Sequence, residues 1–182
     1  MQVVDTAAAM AFVRSGDTIL IGGSGGGHAV AERLIVGLEE RFLKDGEQRN
    51  ITIVHPVGLG DEATQGVARF AHPGLLKRVV TGTLVDSPPL EKLAIAGAIE
   101  AYTLPQGALS QLMREMAAGR PGLLTRTGLH TFADPRIGGG KQSPTATEDL
   151  VEIAEFGGKQ WMFYKPFHVD VCFLRGTTAD ED

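Results

Sequence analysis

A single cysteine among 182 residues rules out an internal disulfide and any multi-cysteine zinc site. That thiol, Cys172, lies in the apolar run "VDVCFL". It reads as a buried strand residue, since a reactive cysteine needs electropositive, partly open surroundings. Long hydrophobic runs are missing: none nears the ~18 residues of a membrane span. The N-terminus also lacks the basic and apolar regions of a signal peptide. A cytoplasmic location with no membrane partner is the expectation. There is no block of Lys and Arg, and the net charge is −5. A nucleic-acid partner is therefore not expected. The histidines at 28, 55, 72, 130 and 168 show neither HxxxH nor HxH spacing, so no metal site is expected.

What the chain has in excess is glycine, 24 residues against the roughly 13 expected at an average ~7%. The densest cluster is "ILIGGSGGGH", residues 19–28, an apolar run ending in a loop whose backbone N–H groups can approach a ligand closely. It is no Rossmann fingerprint, because His28 stands where the last glycine belongs and the next strand ends in His55-Pro56, with no Asp or Glu placed to bind a ribose. A P-loop would need Lys-Ser or Lys-Thr where the chain has His28-Ala29. No G-x-S-x-G elbow occurs, and Ser24 suits a crowded turn as well as catalysis. His28 begins the helix after the loop and is kept as a candidate ligand contact. Glu39-Glu40 and Glu152…Glu155 read as solvated carboxylates on a helix surface or strand edges. No nucleophile is evident.

With 43% hydrophobic residues, the length suits one well-buried domain. The pattern predicts helices over Thr6–Arg14, 29–44, Leu90–Ala98 and from Pro105-Gln106-Gly107 to Ala118. Strands are predicted over Thr18–Ile21, Ile51–Val54, Arg78–Thr83, Ile99–Thr103, Leu123–Thr125 and Val169–Leu174. Val151–Phe156 and Lys159–Tyr164, joined by Gly157-Gly158, read as a β-hairpin. Residues 128–147 read as loop. The fold class is therefore α/β: an open, mainly parallel sheet flanked by helices, with a C-terminal β-hairpin region. In such sheets ligands sit at the carboxyl ends of strands, and both the glycine loop and "LPQG" lead from a strand into a helix. They are expected on one rim.

Taken together, "SGDTILIGGSGGG", "FAHPGLLKRVVTGT", "LPQGALSQLMREMAAGRPGLLTRTGLHTF", "DPRIGGGK" and "KPFHVDVCFLRGTTADED" resemble the family I coenzyme A transferases. The nearest likeness is to the branch of propionate and short-chain acyl-CoA:acetate CoA-transferases. Ser24 stands where the family's first signature has Phe, and His28 and Val30 replace its later Gly and Pro. The resemblance implies a CoA-transferase α-type half over residues 1–182, with the nucleophilic glutamate on a second, β-type half absent from this chain. That half would be a separate subunit or a further domain, in a homo- or hetero-oligomer. Coenzyme A would be substrate and covalent intermediate, with no permanently bound cofactor. Gln106 would contact the acyl group or its oxyanion, and Gly22, Gly23, Ser24, Gly25, Gly26 and His28 would line the substrate site. The residues also fit two other readings: a catalytically silent α/β ligand-binding or regulatory domain, and a sugar-phosphate isomerase or deaminase-type enzyme.

Overall fold

The computed structural model describes residues 2–23 and 29–178. Five parallel strands form its main sheet: β1 (Thr18–Ile21), β2 (Ile51–His55), β3 (Leu76–Thr81), β4 (Glu100–Thr103) and β8 (Val171–Phe173), in the order β4-β3-β2-β1-β8. Alternation along the strands serves two cores, as a sheet covered on both faces requires. Ile19, Ile21, Ile51, Ile53, Val79 and Ala101 belong to one core. Helices α1 (Thr6–Met10), α2 (Glu32–Asp45) and α3 (Pro88–Ile95), with a short 3-10 helix at Gly66–Phe70, pack on it. The intervening residues Val54, Val80 and Tyr102 belong to the other, with Leu109 and Leu112 of α4 (Gln106–Ala117).

A second, antiparallel sheet closes that other core through Leu123, Val151, Met162 and Tyr164. Its order is β5-β7-β6: β5 (Leu123–Thr125), β6 (Val151–Phe156) and β7 (Lys159–Tyr164). The β6–β7 hairpin turns at Gly157-Gly158, both with positive φ (60° and 67°), which is the backbone a two-residue turn needs to match strand twist. The hairpin residues are those the sequence predicts.

Other boundaries differ. Helix α1 stops at Met10 rather than Arg14. Phe12 and Val13 donate their N–H groups to Ala9 and Met10, three residues back, tightening the chain toward the turn at Ser15-Gly16. Helix α2 begins at Glu32, α3 ends at Ile95, and β3 covers Leu76–Thr81. Residues 128–147 are organised more tightly than a loop reading implies. Thr103 N–H donates to Gly140 O and Gln142 N–H to Ala101 O, while the Ser143 hydroxyl accepts from Ala101 N–H. This segment covers the β4 edge of the parallel sheet.

Cys172 is exposed, not buried. It sits on β8 at the sheet margin, where Val171 and Phe173 face the core and Cys172, between them, faces away. Glu39 is also not a solvated carboxylate: its side chain is 15% exposed and accepts from Arg69 at 2.9 Å and His72 at 2.8 Å. The 3-10 helix brings Arg69 against α2, where Glu32 takes a second guanidinium bond at 2.7 Å. Among the described residues no helix is long and apolar enough to cross a membrane.

Candidate functional site

The turns that follow the first four strands of the parallel sheet leave its carboxyl edge: Gly22-Gly23 after β1, Pro56-Val57 after β2, Gly82-Thr83 after β3 and Leu104-Pro105 after β4. The root of the glycine loop and the Pro-Gln-Gly turn therefore share a rim. They are not neighbours on it. Strands β2 and β3 stand between them, so at ~4.8 Å per strand their roots lie roughly 14 Å apart.

Gly22 and Gly23 serve close approach. A Cβ on Gly22 would lie 2.5 Å from the Leu174 side chain, and one on Gly23 would lie 2.7 Å from Ala29 O and 2.8 Å from Leu59. Ser24, Gly25, Gly26 and His28 lie outside the described residues.

Gln106 is the first residue of α4 and is exposed. Proline at the N-cap supplies no side-chain cap, and the Gln106 amide caps nothing either. Its backbone oxygen accepts from the Ser110 hydroxyl at 3.0 Å. Its Cγ lies on Gly82, where any Cβ would collide with both Gln106 and the Pro56 carbonyl. Gly82 thus sets how close the Gln106 side chain sits to the sheet.

Beneath this turn lies His55, 2% exposed. Its Nδ1 is 2.7 Å from Val57 O and 3.1 Å from Thr81 Oγ1. Because a carbonyl only accepts, Nδ1 carries the proton. Thr81 Oγ1 in turn donates to Thr83 O at 2.9 Å. Nε2 is a buried acceptor without a partner among the described residues, as is the Ser87 hydroxyl at the start of α3. Burial lowers the His55 pKa to about 4, against smaller opposing effects of the Val57 carbonyl and the Asp86 charge. The ring is therefore neutral near pH 7.

His55, Gly82 and Thr83 escape a reading by motif. Their signal is a polar residue or a glycine directly after an apolar run, in "TIVHP" and "RVVTGT". The second run reads as strand through Thr83, which hides the turn at Gly82-Thr83, while His55 proves to be the last residue of β2. Among the described residues no cluster of His, Cys, Asp and Glu could hold a metal.

Residues 3–182 match the family profile described as Coenzyme A transferase. The chain is 37% identical over 180 residues to acetate CoA-transferase YdiF of Escherichia coli, covering 99% of this chain and 34% of that protein. It is 40% identical over 151 residues to caffeate CoA-transferase of Acetobacterium woodii, covering 83% and 29%. With the acetate CoA-transferase α subunit of E. coli it shares 27% identity, covering 94% of this chain and 68% of the subunit. The crystal structure of the E. coli YdiF apoenzyme superposes with a TM-score of 0.93 at 36% identity, over 96% of this chain and 34% of that one. The chain thus spans about a third of the length of the first two relatives (34% and 29%). With a matching profile over nearly all its residues and a near-superposable fold, the chain belongs to the coenzyme A transferase family.

Proposed function

We propose that this chain is the α-type half of a CoA-transferase that moves CoA between a short-chain acyl-CoA and a carboxylate. The observation that carries this reading is the Gln106 amide: exposed at the carboxyl rim, free of side-chain bonds among the described residues, and held close to the sheet by Gly82. The nucleophile is a glutamate of the β-type half, in a partner subunit or a further domain. Its carboxylate attacks the acyl-CoA carbonyl, giving an acyl-glutamyl anhydride and CoA thiolate. The thiolate then attacks the glutamyl carbonyl, giving the glutamyl-CoA thioester and releasing the first carboxylate; the acceptor carboxylate reverses both steps.

A carboxylate is a weak nucleophile, so donors aimed at the developing oxyanion contribute much of the rate. Gln106 Nε2–H is such a donor. Gly22 and Gly23, with Ser24, Gly25, Gly26 and His28 beyond them, line the substrate site with backbone rather than bulk. CoA is a substrate here, not a resident cofactor, and the enzyme works in the cytoplasm as an oligomer. In the enzyme formed with the β-type half, Gln106→Ala should lower kcat about 10²–10³-fold, the loss of one oxyanion donor, with KM changing less. A raised KM with unchanged kcat would restrict Gln106 to ground-state binding. Wild-type kinetics would make it a helix-start residue only.

A further inference from the structure

A cavity of about 440 Å3 opens beside the rim. Gly82 and Thr103 form its inner wall, Ala94 and Ile95 of α3 one side, and Phe132 of the 128–147 segment the other. Gly82 is also the residue on which Gln106 lies, so the cavity begins one backbone away from the amide. Its mouth carries apolar side chains left in water: Val85 is 67% exposed, Ile95 71% and Phe132 50%. At ~30 Å3 per water-sized group the volume holds about fifteen non-hydrogen atoms, several times an acetyl group. One carboxylate, Glu91, lines the same space.

Resting on the transferase reading above, we propose that this cavity takes the hydrocarbon part of a bulky, uncharged acyl group, aryl or branched. A two-carbon acyl group leaves the apolar walls wet, whereas a larger one covers them. Glu91 repels an acyl group bearing a second carboxylate. The site then handles two unlike acids in turn, a bulky acyl donor and a small carboxylate acceptor. The segment carrying Phe132 and the "DPRIGGGK" motif becomes a wall of the acyl site.

The test is kcat/KM for hydrocinnamoyl-CoA, acetyl-CoA and succinyl-CoA, with acetate or propionate as acceptor, in the enzyme formed from this chain and its β-type half. Wild type should use hydrocinnamoyl-CoA in preference to succinyl-CoA. Phe132→Ala should lower the hydrocinnamoyl-to-acetyl ratio by about tenfold, the scale of a small change in pocket packing. Glu91→Gln should raise the succinyl-to-hydrocinnamoyl ratio by a similar factor, about tenfold. Turnover of acetyl-CoA but not hydrocinnamoyl-CoA, or ratios unmoved in both variants, would overturn the cavity assignment and leave the transferase reading intact. So would Phe132→Ala acting only by weakening assembly with the other half, which would make this face a docking surface. If no acyl-CoA is turned over, the transferase reading fails. Amide shifts of Val85, Ile95 and Phe132 on adding hydrocinnamate but not acetate then decide the cavity by themselves: their appearance supports it and their absence overturns it.

Discussion

His55 keeps a bare Nε2 inside the rim at the expense of its own titration. Its folded-state pKa, about 4, lies below the ordinary 6.5. The neutral ring therefore stabilises the fold above pH 6.5, and that contribution is lost as pH falls toward 4. Lowering pH from about 7 to about 5 should cost on the order of 2 kcal/mol through this residue. Asp61 and Asp134 are held well below the usual carboxylate range, Asp61 by backbone N–H donors from Gln65, Thr64 and Ala63 and Asp134 chiefly by Arg136. What they contribute is lost only at lower pH, so they do not confuse this window. Urea titrations at the two pH values should show the loss in the wild type and a flatter response in His55→Asn, whose amide can still donate to Val57. Equal slopes would mean that the imidazole is not the group responsible.

At the scale of elements, the 128–147 segment depends on one buried carboxylate. Asp134, 0% exposed, accepts from His130 N–H at 3.0 Å, Arg136 N–H at 3.0 Å and the Arg136 guanidinium at 2.6 Å. Asp134→Ala leaves backbone donors unpaired and should cost about 1–3 kcal/mol. Hydrogen exchange should quicken at Gly140 and Gln142, which tie this segment together and to β4, while β2 amides keep their protection. The sequence read this stretch as loop because its order comes from one aspartate and from backbone pairing to a distant strand. Neither leaves a periodic pattern. Strongly periodic elements were legible: β1, the hairpin and the body of α4 lie where apolar spacing and turn glycines put them. Cys172 and Glu39 were misjudged for a shared reason, since each depends on what its neighbours in space cover. Of the candidate site, the place of Gln106 at the start of α4 was legible through its motif. The distance between it and the glycine loop was not, because strand order is a property of the assembled sheet.

At the scale of the whole molecule, the proposed function makes the rim one part of a shared catalytic site. On the proposed reading it offers a donor amide, a neutral buried imidazole and an apolar cavity, and the carboxylate nucleophile comes from the β-type half. Pure 182-residue chain should show no transfer of CoA from acetyl-CoA or propionyl-CoA to a carboxylate, and adding a β-type half should restore it. Turnover by the chain alone would place the nucleophile within it.

The strand order also has a consequence for how the protein is made. β1's neighbour β2 is the next strand in sequence, but the other edge of β1 pairs with β8, the last strand of the sheet, where Ile19 meets Val171. At ~5–20 residues per second on the ribosome, that edge stays open for roughly 8–30 s. An unpaired apolar strand edge is a template for wrong pairing between nascent chains. Slowed translation of the last third of the message should therefore increase aggregation of the newly made protein, and a chaperone that binds nascent β1 should relieve it.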